Sequence, residues 1–413
     1  MFTRERVRCR RSRPPRRPMI AFTYSGQGSQ QPGMGAPWVD HPAWELVDEA
    51  SQAAERDIAH LLLHADANEL RETRNAQLAT FVTSMVILDA VTRLGIDAAG
   101  HAGHSLGEYS ALTASGALDF VDSVRLVVER GEAMQVAAQE PVGTMAAILG
   151  LDDESVTQAC STIEGEVWVA NFNAPGQVVI AGAPDAVTAA GEEAKIRGAK
   201  RVTALEVSGA FHTPFMASAR DRLTAAIDNA EIRSPQGVVV ANVDATAHEN
   251  PATWQVLMSA QLCSPVRWHQ SLHTLADAGF TTFVELGPGN VLTGLVKRTL
   301  KGVARLSVNS PSHLDALLET FASAASAEGH SRTAGVEGEH LFATDRMVVS
   351  PATGVFTPVD GLDVGQPVTA GTLLGHIGIT EVRSPFTGEF MGWLAVKSER
   401  VTASKPIAWL RTE

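Results

Sequence analysis

The sequence predicts an α/β protein with a mainly parallel sheet, an inserted ferredoxin-like subdomain and a small all-β unit towards the carboxyl end. From Met19 onward, apolar runs typical of strands alternate with amphipathic stretches typical of helices, which favours a parallel sheet. Between residues 143 and 205 the predicted order changes to β-α-β-β-α-β, which is the ferredoxin-like order. Further on, VVSPATG at 348–354 returns as VRSPFTG at 382–388, so this segment contains an internal repeat.

The elements of the body follow in order from these patterns. IAFTY, directly after Met19, is the first strand, and two amphipathic helical stretches follow it, HPAWELVDEASQAAERDIAHLLL and LATFVTSMVILDAVTRL. Helices are expected next over 108–118 and 120–138. After the insertion the body resumes with strands in VVVANVDAT and FTTFVELGPG.

The insertion has the clearest pattern of strands and turns. A turn at NAPG separates its second and third strands, because Asn, Pro and Gly favour turn conformations. The expected helices span 153–160 and 185–197, and the expected strands span 144–149, 167–172, 177–182 and 201–205.

Length and composition fit several folded domains. The chain has 413 residues, of which 45% are hydrophobic and 19% charged, a composition typical of globular proteins. We expect a disordered basic extension over 1–18 and a body over 19–325 that contains the insertion at about 143–205. A linker without apolar periodicity follows over 326–340, and the all-β unit spans 341–413.

Charge and cysteine content exclude several classes of function. The net charge is −13, but the first 18 residues carry eight arginines and one glutamate, so the remainder carries −20. We therefore expect no nucleic-acid partner, since nucleic-acid binding needs a basic footprint on the folded part. The three cysteines have no short mutual spacing, which favours a reducing, cytoplasmic location without disulfides or a thiolate metal site. No apolar run approaches the ~20 residues of a membrane-spanning helix, so no membrane association is expected.

The strongest chemical motif is GHSLG at 103–107, which has the G-x-S-x-G pattern of a nucleophile elbow. Small flanking residues allow a sharp strand-to-helix turn that exposes the hydroxyl of Ser105 near a helix amino terminus. A helix is well predicted after the motif, whereas residues 97–104 before it have poor strand propensity. The pattern also occurs by chance in a chain with 35 glycines, so a purely structural turn stays equally open at this point.

Two distant segments add further candidates. SGQGSQ at 25–30 follows the first strand, where the backbone N–H of Gln27 is placed to meet an oxyanion; the alternative is an ordinary strand-to-helix turn. His212 lies in the turn-rich segment SGAFHTP and is a candidate base for Ser105. The alternative for this histidine is a structural role.

In these motifs and in their order, the chain resembles the malonyl-coenzyme A:acyl carrier protein transacylases and the acyltransferase domains of polyketide synthases. The motifs GQGSQ, GHSLGEYSAL, RGEAMQ, ANFNAPGQVVIAG, AFH and ELGPGNVLTGLVKR occur in the order seen in that family, between Met19 and about Ala325. The resemblance implies an α/β-hydrolase-like body with a ferredoxin-like insertion.

The resemblance also implies the catalytic roles. Ser105 is the nucleophile, His212 is its general base, and the backbone N–H groups of Gln27 and Leu106 form the oxyanion hole. A backbone carbonyl orients the histidine in this family, and Gln261 stands at that position. A carbonyl can fix the imidazole tautomer, although it stabilises the imidazolium less than a buried aspartate does.

Three residues are implied in substrate binding. Arg130 lies on the otherwise apolar helix 120–138, where burial of an unpaired guanidinium would be unfavourable. Bidentate binding of a malonyl carboxylate, as the resemblance implies, explains its presence. The alternative is a structural ion pair with Glu129 or Glu132. Gln77 matches a pocket glutamine of the family weakly. Phe211, like Leu106, follows the malonyl-selective pattern, because a bulky side chain fills the volume that an α-methyl group needs.

The repeat at the carboxyl end resembles the barrel-sandwich domains that carry biotin or lipoate, with one departure. Those domains present an acceptor lysine on a tight hairpin between their halves, whereas residues 376–383 contain no lysine and look too short for such a hairpin. The unit's lysines are Lys397 and Lys405. We therefore expect residues 341–413 to be an unmodified docking or assembly domain.

The resemblance implies an enzyme that transfers a malonyl group from malonyl-coenzyme A to the phosphopantetheine thiol of an acyl carrier protein, with no cofactor and no metal. Two alternatives stay open. One is an acyl thioester hydrolase that uses the same elbow with water as acceptor. The other is a non-catalytic binding subunit in which the carboxyl-terminal unit recruits a protein partner.

Overall fold

The computed structural model describes residues 19–329, 345–359, 361–396, 399–402 and 405–411. The chain divides into two compact units. The first comprises the chain up to Leu88 together with Asp97–Leu317, and the second comprises Asp89–Ile96 together with the residues from Leu318 onward. The predicted basic extension, 1–18, lies outside the described residues.

Strands and helices alternate through the first unit. Its strands are β1 (Met19–Tyr24), β2 (Gly100–Gly103), β3 (Thr144–Leu149), β4 (Val167–Ala174), β5 (Gln177–Gly182), β6 (Arg201–Ala204), β7 (Val238–Val240), β8 (Phe280–Leu286) and β9 (Ala304–Val308). The helices are α1 (Glu45–Ala54), α2 (Ile58–Leu63), α3 (Thr73–Arg93), α4 (Gly107–Ala114), α5 (Phe120–Ala137), α6 (Asp153–Ser161), α7 (Pro184–Ile196), α8 (Ala217–Asp228), α9 (Pro251–Gln261), α10 (Trp268–Asp277), α11 (Val291–Thr299) and α12 (Ser312–Gly329).

The body is built on a parallel five-stranded sheet with the order β7-β2-β1-β8-β9, as the alternating pattern predicts. β2 lies in the segment 97–104, which has poor strand propensity. It forms because only small residues fit between its neighbours in the sheet. A Cβ on Gly100 would lie 2.4 Å from the ring of Phe280, so only glycine fits there. Tertiary packing thus overrides local propensity in this strand.

The first predicted helical stretch, residues 41–63, is interrupted. α1 ends at Glu55, which has a left-handed φ of 51°, and a separate helix α2 begins after Asp57. The Asp57 carboxylate accepts a hydrogen bond from the His60 amide at 2.8 Å and so caps the new helix. Apolar periodicity alone does not detect this break.

The insertion has the predicted β-α-β-β-α-β order. Its antiparallel sheet runs β4-β5-β3-β6, and α6 and α7 pack their apolar faces against it around Ile148, Val156 and Val187. The bounds differ from the prediction by two residues or fewer, because turn residues mark most of the ends.

At the end of the body, α12 runs to Gly329 and therefore covers the first residues of the predicted linker. The Ala-rich sequence there has high helix propensity, which explains the longer helix. The rest of the predicted linker lies outside the described residues. Among the described helices, none is long and apolar enough to cross a membrane.

The second unit contains two four-stranded sheets that mirror the internal repeat. Their orders are β10-β17-β15-β12 and β14-β13-β11-β16, so each strand of the first half has its counterpart four strands later in the second half. The strands are β10 (Asp345–Val349), β11 (Gly354–Pro358), β12 (Pro367–Val368), β13 (Leu373–Ile377), β14 (Thr380–Arg383), β15 (Gly388–Trp393), β16 (Arg400–Val401) and β17 (Pro406–Arg411). Phe356, Leu374 and Phe390 lie in the core between the sheets.

One expectation about this unit is wrong. The segment 376–383 is long enough for a hairpin, because β13 and β14 pair in antiparallel fashion across the two-residue turn Gly378–Ile379. Gly378 adopts a φ of 58°, which lets the chain reverse in two residues. The tip carries the fully exposed Ile379 (101%) instead of a lysine. Lys397 lies outside the described residues, and Lys405 pairs with Glu399 at 2.6 Å.

Candidate active site

Ser105 stands on a sharp turn between β2 and α4, with a φ of 54° that non-glycine residues rarely adopt. The turn depends on its two flanking glycines. A Cβ on Gly103 would lie 1.8 Å from the backbone of Gly107, and a Cβ on Gly107 would lie 2.1 Å from the carbonyl oxygen of Tyr24. The elbow therefore packs directly against the end of β1, and the motif has a steric basis.

The hydroxyl of Ser105 contacts the predicted base. Ser105 Oγ lies 2.7 Å from His212 Nε2, and His212 Nδ1 lies 3.0 Å from the backbone oxygen of Gln261. Because a carbonyl can only accept, it requires the proton on Nδ1 and leaves Nε2 free to accept the serine proton. The geometry is that of a nucleophile, a base and a group that orients the base.

Burial and the nearby Arg130 cation lower the pKa of His212 to about 3. The imidazole is thus neutral across the physiological range and ready to accept a proton. It is only 4% exposed, so solvent does little to stabilise the charged imidazolium.

A pH profile follows from this shift. For the acylation of Ser105 that the resemblance implies, we expect kcat/KM, which reports the free enzyme, to stay flat between pH 8 and pH 5.5. A histidine with the ordinary pKa of about 6.5 would lose on the order of 10-fold at pH 5.5. Single-turnover rates in buffers of constant ionic strength measure this; a decline with a midpoint near 6.5 contradicts the account.

Arg130 reaches the same hydroxyl from helix α5. Its Nη2 donates to Ser105 Oγ at 3.1 Å and to the side-chain oxygen of Gln261 at 2.9 Å, while Nη1 donates to Gln77 Oε1 at 2.6 Å. The guanidinium lies over the ring of Tyr109 and is 1% exposed. The weak match at Gln77 thus belongs to the same cluster as the nucleophile.

The two carboxylates offered as structural partners for Arg130 pair elsewhere. Glu129 forms an ion pair with Arg222, and Glu132 lies 3.7 Å from Arg74. In the part of the chain that the structure describes, no carboxylate lies within ion-pair distance of Arg130, although the charge of the buried Glu108 acts on it at longer range. Burial lowers the pKa of the Arg130 guanidinium, and Tyr109 and Glu108 oppose that shift.

The loop that carries Gln27 lies against the elbow. A Cβ on Gly26 would lie 2.4 Å from the carbonyl oxygen of His104, so this loop touches the residue before Ser105. Within the described residues, no protein acceptor is seen for the N–H groups of Gln27 and Leu106. One unpaired donor thus lies in the elbow and the other in the loop that contacts it.

A buried network beneath the elbow was missed by sequence reasoning. Asn242 accepts from the Ser105 amide and donates to the Gly103 carbonyl, each at 2.8 Å. Glu108 accepts from the Asn242 amide at 2.6 Å and from Gln261 Nε2 at 2.8 Å. Burial raises the pKa of Glu108 to about 8 against those hydrogen bonds. Polar residues inside the motifs GHSLGEYSAL and VVVANVDAT were the available signal.

Comparison with known proteins agrees with this arrangement. The family model described as "Acyl transferase domain" matches residues 21–320. The malonyl CoA-acyl carrier protein transacylase of Bacillus subtilis (strain 168) is 42% identical over 307 residues, covering 73% of this chain and 97% of the relative. This chain belongs to the acyl transferase domain family.

Solved structures extend the comparison of the acyl transferase domain. An acyl-carrier-protein S-malonyltransferase from Burkholderia pseudomallei 1710b has a TM-score of 0.71 and 40% identity, covering 73% of this chain and 99% of that one. A malonyl-transacylase solved with its type II polyketide synthase acyl-carrier protein has a TM-score of 0.71 and 38% identity, with the same coverage. The α/β body with its insertion is therefore the fold of this family.

A cleft of about 640 Å³ opens beside the histidine of the acyl transferase domain. It lies between insertion and body, with Trp168 and Phe172 on one side and His212, Pro214 and Arg267 on the other. A molecule bound in this cleft would contact His212.

Phe211 precedes the histidine and is 6% exposed. A Cβ on Gly209 would lie 3.4 Å from Phe211 Cε1, so the ring packs against its own loop. Phe211 is not among the residues that line the 640 Å³ cleft. The buried ring therefore lies beside Gly209 in the loop that carries His212.

No group of three or more His, Cys, Asp or Glu side chains in the described part of the chain is placed to hold a metal ion. The chemistry proposed below uses protein groups alone. Cys160 and Cys263 are free thiols, and burial raises the pKa of both.

Proposed function

We propose that this chain transfers a malonyl group from malonyl-coenzyme A to the phosphopantetheine thiol of an acyl carrier protein through a malonyl ester on Ser105. One observation carries the choice of a dicarboxylic substrate: Arg130 is a buried cation in contact with Ser105 Oγ, and no carboxylate of the described chain lies within ion-pair distance of it. A substrate carboxylate would supply that missing partner. The names of the relatives support the same substrate and acceptor.

In the first half-reaction, Ser105 Oγ attacks the thioester carbonyl while His212 Nε2 takes the hydroxyl proton. The C=O electron pair moves to the oxygen, where the N–H groups of Gln27 and Leu106 stabilise the oxyanion. When the tetrahedral intermediate collapses, the C–S bond breaks and coenzyme A leaves with the proton from His212.

The second half-reaction reverses these steps with a different thiol. His212 takes the proton of the carrier's phosphopantetheine thiol, the sulfur attacks the malonyl ester, and the bond to Ser105 Oγ breaks. Gln261 is a positioning residue in both halves, because its carbonyl holds the imidazole and its side chain contacts Arg130. Ping-pong kinetics are the expected signature.

Arg130→Ala should separate substrate recognition from chemistry. Removing the guanidinium eliminates the partner of the malonyl carboxylate and leaves Ser105 and His212 in place. We expect malonyl transfer to fall on the order of 10²-fold or more, since a buried charged hydrogen bond is lost, while acetyl transfer persists or rises. The ratio of kcat/KM for malonyl- and acetyl-coenzyme A measures this.

Arg125→Ala is the matched control, since Arg125 lies on the same helix but is exposed and pairs with Asp122. It should leave the ratio unchanged. Equal losses with both substrates in Arg130→Ala would make Arg130 a structural residue and remove the basis for a malonyl substrate.

Phe211→Ser tests the proposed selectivity against an α-methyl group. The smaller side chain opens space in the loop that carries His212. The ratio of kcat/KM for methylmalonyl-coenzyme A to that for malonyl-coenzyme A should therefore rise about 10-fold, which is what one methyl group can supply. Competition between the two thioesters gives the ratio directly. An unchanged ratio would exclude Phe211 from substrate selection.

We also propose the domain division given by the sequence, a cytoplasmic location, and an unmodified barrel-sandwich architecture for residues 341–413. The hairpin tip at Ile379 supports the absence of modification, because biotin and lipoate are attached to lysine. The free cysteines Cys160 and Cys263 support a reducing compartment.

The alternative function, an acyl thioester hydrolase with water as acceptor, would be favoured by thioester cleavage in the absence of a carrier protein.

A further inference from the structure

The second unit leaves one sheet edge open beside an exposed apolar side chain. β14 is the outermost strand of its sheet and, among the described residues, pairs only with β13. Ile379 directly precedes β14 and is fully exposed at 101%. An open edge presents unpaired N–H and C=O groups to any incoming strand, and natural proteins usually cover or shorten such edges.

A groove with apolar and charged lining lies along the same strand. Its volume is about 450 Å³, and it is lined by Met347, Val349, Pro351, Pro385 and Phe386 together with Glu381, Val382 and Arg383 of β14 itself. Met347 and Val349 are 61% and 46% exposed, although both are apolar. The unit therefore has an exposed apolar side chain at Ile379 and a groove with several apolar side chains a few residues away.

The charges on β14 are complementary to a second copy of the same strand. Glu381 and Arg383 are both exposed and pair with each other at 2.8 Å within the chain, while Val382 between them is buried. When two β14 strands pair in antiparallel fashion about Val382, Glu381 of each copy lies opposite Arg383 of the other, so the contact within each chain is exchanged for two contacts between chains. Opposite residues in an antiparallel pair share a face, so the two cross-strand pairs are attractive.

The same register also matches the apolar features. With Val382 opposite itself, Ile379 of one copy lies opposite Pro385 of the other, at the groove. A shift that centres the pair on Glu381 or Arg383 would set like charges opposite each other, which is unfavourable. One register therefore satisfies the hydrogen bonds, the charges and the apolar contact together.

We propose that the carboxyl-terminal unit joins two copies of this chain by antiparallel pairing of their β14 strands about Val382. The contact is two-fold symmetric, so each copy contributes both the Ile379 projection and the groove. This inference goes beyond the proposed acyl transfer and does not depend on it, because no residue of the catalytic cluster takes part.

Sedimentation velocity of the full chain over a range of concentrations tests the proposal, and a dimer is expected. Glu381→Arg and Arg383→Glu should each weaken the dimer on the order of 10-fold or more, since two cross-strand pairs become repulsive by symmetry. Ile379→Asp should do the same by removing the apolar contact. Ile196→Asp, at another exposed isoleucine (81%), is the matched control and should leave the dimer intact.

Mixing the two charge variants gives the decisive result. A chain with Glu381→Arg and a chain with Arg383→Glu complement each other at both pairs, so two proteins that are monomeric alone should form a heterodimer. Each variant has two like charges at positions 381 and 383, so mixing cannot restore an ion pair within one chain. Association on mixing therefore requires ion pairs between chains. Circular dichroism and thermal unfolding of each variant serve as the check that it is folded. A monomeric wild type, dimers that persist in both single variants, or folded variants that fail to associate on mixing would each overturn the proposal.

Discussion

Ser105→Ala should abolish the acyl-enzyme while leaving the fold intact. Alanine tolerates the φ of 54° as well as serine does, because both carry a Cβ, so the elbow keeps its shape. The substitution removes the hydroxyl that contacts His212 and Arg130. We expect turnover to fall on the order of 10⁶-fold, as when a serine enzyme loses its nucleophile. Intact-mass analysis and transfer assays measure the two effects.

Ser110→Ala is the matched control for this variant. Ser110 lies on the helix that follows the elbow, and its buried hydroxyl has no hydrogen-bond partner in the described structure. It should form the adduct at the wild-type rate. A malonyl adduct of normal stoichiometry in Ser105→Ala would disprove the assignment of the nucleophile.

His212→Ala should slow acylation severely without preventing the substrate from binding. Loss of a general base typically costs on the order of 10²–10⁴-fold, and the buried ring leaves a cavity that free imidazole can enter. We therefore expect partial recovery of the acylation rate with added imidazole, which a purely structural histidine would not give. Stopped-flow release of coenzyme A follows the rate.

His60→Ala supplies the control, because His60 is exposed and pairs with Glu69 far from the elbow in sequence. It should behave as wild type with and without imidazole. Near-normal acylation by His212→Ala would transfer the role of base to another group.

The sequence predicts the insertion and the elbow well because both depend on local signals. Turn residues mark the ends of the insertion's strands. The elbow is marked by the pattern G-x-S-x-G itself, because a Cβ on either Gly103 or Gly107 would clash with backbone atoms. β2 is harder to predict, since its Gly100 is selected by Phe280, a residue distant in sequence. Local propensity carries no information about that packing.

The buried network and the hairpin tip show two further limits. Glu108 and Asn242 are 134 positions apart, and their hydrogen bond exists only because the sheet order places β7 beside β2. The length of residues 376–383 argues against a hairpin, but a glycine with positive φ makes a two-residue turn sufficient to join β13 and β14.

We propose that Ser105 carries a malonyl group from coenzyme A to a carrier protein. The most direct test is intact-mass analysis of the wild-type chain after mixing with malonyl-coenzyme A, followed by addition of holo acyl carrier protein. We predict one malonyl adduct, mapped to Ser105, that then disappears as malonyl-carrier protein forms. Absence of an adduct, or an adduct lost to water at the same rate with and without the carrier, would contradict the account.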